Sequence, residues 1–394
     1  MTTPDVVIAN AVRTPFGRYF GGLSGIRPDD LLGATLKELA HRTPSLDLNK
    51  VDDVIIGDSN GAGEDNRNVA RMGILRADFP RTIPGVTLNR LCGSGAEAFI
   101  QASRAIRSGD AQYVIAGGVE SMSRAPWIVQ RTSKEKPVNP EYHQSTVGWR
   151  MINPAFPSHW TQSLGRCAEA IAEKLNISRT EQDEWALRSH QLAGAAWDRG
   201  IHNDWVTTIN GVSRDESIRP DTTLEKLGSL PSAFSEGGAG TAGNSSPLND
   251  GSVAALITSS ATARELGLES IGSIIGTRMV ATEPEQFTLA PVIAIRQLLA
   301  KLNLSASDIK LWEINEAFAS MVLTVLHEMP EIPLDKVNIN GGAIAIGHPV
   351  GASASRVIVE TARELKRQGG GIAIAAACIG VGLGVAIAIK VDSN

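Results

Sequence analysis

One order of elements occurs twice along the chain, and that repeat limits the available folds more than any other feature. In the first part, "DDLLGATLKELAH" has helical spacing and leads to the strand-like "VDDVIIGD". The helical "NVARMGIL" follows, then "GVTLNR", a cysteine among glycines, a further helix and the apolar run "YVIAGG". In the last part, "APVIAIRQLLAKL" leads to "DIKLWEIN", and the helix "EAFASMVLTVLHEM" follows. Next come "KVNINGG", a glycine-rich loop, the helix "ASRVIVETARELKRQ" and the run "GIAIAAAC". Ala96, Phe99, Ile100 and Ile106 share one helix face after the first loop; Ala354, Val357, Ile358 and Leu365 do so after the second. The strand candidates are short, nearly uninterrupted apolar runs, as expected of sheets covered on both faces. Two packed copies of a βα unit predict a layered α/β architecture.

Composition changes between the copies. Trp127, Trp149, Trp160, Trp185, Trp197 and Trp205, six of the seven tryptophans, lie there. So do the polar "QRTSKEKPVNPEYHQST", the helix pair "GRCAEAIAEKLN" and "TEQDEWALRSHQLAGAAWDRG", and the Gly/Ser-rich "SEGGAGTAGNSSPLNDG". This middle part reads as an excursion from the first half that covers a binding site, with "SVAALITSS" as a strand returning to that half. The expected division is 1–120, completed by about 248–270, as the first half; 121–247 as a loop domain; and 271–394 as the second half.

With 394 residues, 20% charged and a formal net charge of −5, the chain makes no electrostatic case for nucleic acid or an anionic membrane. The start lacks the basic and long apolar regions of a secretory signal, and no stretch reaches membrane-spanning length, so a cytoplasmic enzyme is expected. Three scattered cysteines, Cys92, Cys167 and Cys378, form neither a disulfide framework nor a zinc motif, and no metal is expected.

Cys92 stands at the start of an apparent helix in "NRLCGSGAEAF". A free thiol, with an ordinary pKa near 8.5, needs its thiolate stabilised to act as a nucleophile, and a helix N-terminus offers unpaired amides and a positive dipole end. Gly93 and Gly95 leave room for another backbone or a ligand. His348, in "NGGAIAIGHPVGAS", is the only one of seven histidines within a glycine-rich turn, and Pro349 restricts its backbone. A positioned imidazole could take a cysteine's proton. Cys378 enters "CIGVGLG" at the matching point of the second copy, whereas Cys167 lies within a helix and reads as packing. Two cysteines and a histidine in glycine loops fit either a redox pair or a two-cysteine acyl transfer; spacing alone leaves both open.

The stretches "NRLCGSG", "GGVESMSRAP", "TAGNSSPLNDG", "NEAFA", "GGAIAIGHPVGAS" and "CIGVGLG" resemble, in order and over essentially the whole chain, the signatures of the thiolases. "TVGWRMINP" resembles the degradative bacterial branch that includes β-ketoadipyl-CoA thiolases. The resemblance implies an α/β thiolase fold, with two similar halves in a five-layer αβαβα sandwich and an inserted loop domain. It implies CoA-dependent cleavage of a 3-ketoacyl-CoA to acyl-CoA and acetyl-CoA. Coenzyme A would be a co-substrate, with no permanently bound cofactor, and the protein a homodimer or homotetramer. By the same resemblance Cys92 would carry the acyl group as a thioester. His348 would deprotonate it, and Cys378 would protonate the leaving acetyl-CoA carbanion. Asn315 would hold a water that forms one oxyanion hole with His348, and the amides of Cys92 and Gly380 would form the other. Such donors are worth about 2.7–4 kcal/mol each when removed. Arg219, Ser246, Ala317 and Phe318 are the implied CoA contacts, and Leu164 and Phe287 stand where acyl preference is set.

The chain departs from the family pattern at Val381, where many members have glycine; at Ala354, which replaces a glycine; at Ser163 and Leu164, where biosynthetic enzymes tend to have His-Met; and at Phe287. The rival readings are a biosynthetic acetoacetyl-CoA thiolase, a decarboxylating condensing enzyme that would lack Cys378, and a non-catalytic acyl-CoA binder.

Overall fold

The computed structural model describes residues 5–61, 63–131 and 140–393, so the centre of the polar stretch after Val129 lies outside the described residues. The first half contains β1 (Val6–Arg13), β2 (Gly17–Arg18), α1 (Pro28–His41), β3 (Asp53–Gly57), α2 (Val69–Arg76), β4 (Gly85–Leu88), α3 (Ser94–Ser108) and β5 (Tyr113–Ser121). The chain then passes through the hairpin β6 (Trp127–Val129) and β7 (Tyr142–Gln144), and through α4 (Leu164–Lys174), α5 (Arg179–Asp198) and α6 (Leu224–Gly228). It comes back as β8 (Asn249–Ser259) and α7 (Ser260–Glu265). The second half contains β9 (Gly272–Ala281), α8 (Ala290–Leu302), β10 (Leu311–Ile314), α9 (Ala319–Glu328), α10 (Ala343–Ile346), α11 (Val350–Arg367), β11 (Gly371–Ile379) and β12 (Leu383–Val391).

The repeat is real in space. The first half's strands lie in the order β4-β3-β5-β8-β1 and the second half's in the order β10-β11-β12-β9. Thus β3 and β5 correspond to β10 and β11 as parallel pairs, and β8 and β1 to β12 and β9 as antiparallel ones. A two-residue ladder, Val7↔Ser273 and Ile8↔Gly272, joins the two sheets. Between them lie α3 and α11, which pack on each other and on the strands to either side. Of the residues expected on their apolar faces, Ala96, Phe99, Ile100 and Ile106 are buried in one core with Ala354, Val357 and Ile358, while Leu365 is buried in a small separate cluster with Leu311 and Ala373. A second core under α1 and α2 and a third under α8 and α9 complete the five layers. Alternation along β1 divides its side chains, with Ile8 and Ala11 facing the central core and Val7 and Val12 the outer one.

The copies differ at "KVNINGG", which stands in the second half at the place of β4 in the first. No strand forms there; a single bridge joins Val337 to Trp312. Asn338 has already turned into the left-handed region (φ 46°), and its side-chain amide takes over the ladder. Ile314 N–H donates to Asn338 Oδ1, and Asn338 Nδ2 donates to the Ile314 carbonyl, both at 2.8 Å. A carboxamide carries the same donor and acceptor as a peptide, so β10 stays satisfied without a neighbouring strand. Among the described residues no helix is long and apolar enough to cross a membrane.

Candidate active site

The site forms where the first turns of α3 and α11 meet beyond the carboxyl ends of β3, β5, β10 and β11, the edge at which α/β sheets usually hold ligands. The glycines around Cys92 are explained by this junction. A Cβ on Gly95 would stand 2.8 Å from Ser355 N and 3.0 Å from the Gly351 carbonyl, both of α11. One on Gly93 would collide with the Ile379 side chain of β11. Of the two roles the sequence allowed these glycines, close approach of another backbone or of a ligand, the described atoms show the first.

Cys92 immediately precedes the helix cap Gly93, and its sulfur accepts a hydrogen bond from the Gly380 backbone N–H. Cys378 and Gly380 follow one another at the end of β11 and the turn after it, so the first half's cysteine is met by the second half's cysteine loop. The helix end alone does not decide the Cys92 proton. Burial pushes the Cys92 thiol up to about 11 despite the Gly380 amide. Cys378, 1% exposed, is pushed well above the usual thiol range by burial and then by Cys92 beside it. Both rest as thiols.

His348 reaches the same junction from α11. Gly347 before it has φ 118°, and a Cβ there would stand 2.6 Å from the Asn249 carboxamide. That amide accepts the His348 backbone N–H at 2.9 Å and donates to the Gly17 carbonyl and Ser217 Oγ. The ring's Nδ1 lies 2.6 Å from Ser353 Oγ, whose single proton is donated to the Pro349 carbonyl at 2.9 Å. Ser353 therefore accepts from Nδ1–H, which leaves Nε2 as the bare lone pair. That Nε2 is buried and has no partner among the described residues. Burial, and secondarily the Arg356 charge, lowers His348 to about 4, so it is a neutral base at neutral pH.

Asn315 follows β10 and donates its backbone N–H to Ala376 of β11 at 2.9 Å. Its side-chain amide is fully buried with both polar atoms unpaired among the described residues. Ser246 donates its N–H to the Ala317 carbonyl at 3.0 Å, and Ser245 bridges to Phe318, so these expected contacts form one surface. Phe287 is 1% exposed and packs edge-on against Phe318, with centroids 6.2 Å apart. Leu164, the first residue of α4, lies against Gly380 and so near Cys92. Arg219 is exposed; its backbone N–H donates to His190 Nδ1 at 3.2 Å, and no contact joins it to the cysteines. Ser353 and Asn249 were missed from sequence although both lie in the quoted motifs, because nothing but the fold brings them to the imidazole.

The thiolase N-terminal domain family model matches residues 6–261, and the thiolase C-terminal domain model matches residues 268–391. A β-ketoadipyl-CoA thiolase of Escherichia coli is 44% identical over 382 residues, covering 94% of this chain and 95% of the relative. One of Pseudomonas knackmussii is 43% identical over 376 residues, covering 93% and 94%. The solved structure of human mitochondrial 3-ketoacyl-CoA thiolase in complex with CoA superposes with a TM-score of 0.92 at 35% identity, covering 100% of this chain and 98% of that one. With both family domains matched in order and the cysteine and histidine loops brought to one junction, the chain belongs to the thiolase family.

Proposed function

We propose that the chain is a degradative acetyl-CoA C-acyltransferase that cleaves a 3-ketoacyl-CoA with CoA to give acyl-CoA and acetyl-CoA. The observation that carries it is the meeting of Cys92 with the Cys378–Gly380 loop where α3 packs on α11, the helix that follows the neutral imidazole of His348. His348 Nε2 takes the Cys92 proton, and the sulfur attacks the C3 carbonyl. The C2–C3 bond then breaks; its electrons go to the acetyl-CoA carbanion, which Cys378 protonates. The Cys378 thiolate takes the proton of free CoA's thiol, whose sulfur attacks the acyl-Cys92 thioester and releases acyl-CoA, and Cys92 recovers its proton from His348. Charge on the attacked carbonyl oxygen is taken up by the amides of Cys92 and Gly380, and a water on Asn315 forms the second oxyanion hole with His348. The unpaired, buried amide of Asn315 supports that water, since such a group is costly unless hydrogen-bonded.

The two named relatives favour a 3-ketoacyl chain that ends in a carboxylate as substrate. Residues 121–247 serve as the cover over CoA, with Ser246, Ala317 and Phe318 as its contacts and Arg219 as an outer anchor at the rim. Leu164 and Phe287 set acyl preference. A cytoplasmic homo-oligomer is the working form, supported by the exposed Trp127, Val129 and Tyr142 of the β6–β7 hairpin, an apolar patch suited to a second copy. The test is acetyl-CoA release from a panel of 3-ketoacyl-CoAs, with and without a terminal carboxylate, by wild type and Cys92→Ala. Cleavage by wild type alone, fastest with the carboxylate, is expected. No cleavage of any member, or full turnover by Cys92→Ala, would overturn the reading.

A further inference from the structure

Three carboxyls that the reaction above does not use lie buried against the same junction. Glu120 and Asp58 are each 2% exposed and Asp65 is 6% exposed. Glu120 ends β5, in the half that carries Cys92. Its Oε2 accepts from Ser59 N–H at 3.0 Å, Ser59 Oγ at 2.5 Å and the Gly351 N–H of α11 at 2.8 Å. Gly351 lies three residues beyond His348. It is seated so tightly that a Cβ would stand 2.5 Å from the Val119 carbonyl and 2.9 Å from Asp58 Cα. One carboxyl therefore ties β5, the loop after β3 and the first turn of α11, the helix that follows His348.

We propose that Glu120 is a positioning residue for the thiolytic reaction: its carboxylate pins the helix that follows His348 to the half that carries Cys92. This rests on Cys92 and His348 being the reacting pair. Burial raises the Glu120 carboxyl, the Ser59 and Gly351 donors oppose that rise, and its ionised form adds, after burial, to what holds Cys92 as a thiol. Asp58 accepts the Asn60 N–H at 3.1 Å, and burial, then Glu120 and Asp65, push its carboxyl well above the usual carboxylate range. Asp65 is raised by burial, with Asp29 adding to it, and beyond it the Arg27, Glu64 and Arg124 side chains pair among themselves and with Asp29. Asp250 of β8, bonded to Ser121 and to Ser123 N–H, is the other carboxyl beside this strand end. Cys378 and the Gly380 amide face Cys92 from the opposite side.

Two substitutions separate reach from charge. Glu120→Asp keeps the charge and withdraws it by a methylene. Turnover is expected to fall about ten-fold or more, with KM for CoA within about two-fold of wild type. The pH midpoint of Cys92 alkylation by iodoacetamide should stay where wild type has it. Glu120→Gln removes the charge, and the alkylation midpoint should move down by about half a unit to one unit, a shift that loosened packing alone does not produce in this direction. Wild-type turnover in Glu120→Asp, or an unmoved midpoint in folded Glu120→Gln, would overturn the proposal. If Glu120→Gln does not fold, Glu120→Asp decides it through turnover and KM. Full turnover by Cys92→Ala would instead overturn the reaction on which the proposal rests.

Discussion

Replacing Ser353 with alanine probes the base more finely than removing His348 itself. Ser353 is fully buried and touches the ring only through the 2.6 Å contact to Nδ1, with its own proton committed to the Pro349 carbonyl. Removal leaves the Nδ1–H buried without an acceptor, at a cost of about 1–3 kcal/mol to the tautomer that presents Nε2. If that tautomer is the working base, kcat falls between roughly five-fold and a hundred-fold. KM for CoA stays within about two-fold, because Ser353 lies away from the proposed CoA surface. Acetyl-CoA release at saturating substrates measures the first effect. Nitrogen-15 NMR of labelled histidine supplies the second readout: wild-type His348 should carry its proton on Nδ1 at neutral pH, and the variant should show a mixture. A Ser353→Ala enzyme with wild-type kcat and an unaltered ring tautomer would refute the reasoning.

Val381, at φ 66°, is a β-branched residue held in the left-handed region. Val381→Gly relieves that conformation and should raise stability by about 1 kcal/mol in denaturant unfolding, the strain released exceeding glycine's entropy cost. A loss of stability would contradict the strain. Asn338→Ala leaves the Ile314 N–H and carbonyl unpaired and takes a donor from Glu316, so unfolding should become easier by about 3 kcal/mol or more; a change below about 1 kcal/mol would show that the amide does not replace a strand. His202, fully buried between Glu360 and Trp197, is lowered by burial to about 4. Below its unfolded pKa near 6.5 the unfolded chain binds a proton that the folded protein refuses. Its contribution is therefore intact above pH 6.5 and lost as pH falls toward 4. Folded His202→Gln should show a shallower fall of Tm across that window, and an unchanged slope would refute the assignment.

The duplicated order and the apolar faces of α3 and α11 were legible because both are periodic properties of local sequence. β9 and β12 were not picked out: β9 is half-exposed along much of its length, and β12 runs straight on from the glycine-rich turn that drew attention to Cys378. That an asparagine side chain stands in for β4's counterpart at "KVNINGG" was not legible, because no hydropathy pattern reveals a carboxamide imitating a peptide. Cys92, His348 and Cys378 stood out by their glycine surroundings, and close approach of another backbone was one of the two reasons open for those glycines. Gly95 is small because α11 lies against it, a contact between positions some 260 residues apart that only the fold creates. The acidity of Cys92 was misjudged for a similar reason. The helix end is a local feature, whereas the burial that outweighs it comes from the whole second half.

Mixing the enzyme with a 3-ketoacyl-CoA it cleaves, in the absence of free CoA, tests the central chemistry most directly. Rapid quenching and peptide mass spectrometry should find one equivalent of acetyl-CoA released per subunit and the matching acyl mass on the peptide containing Cys92. An acyl group on Cys378 or on any other residue, or the same burst from Cys92→Ala, would contradict the account.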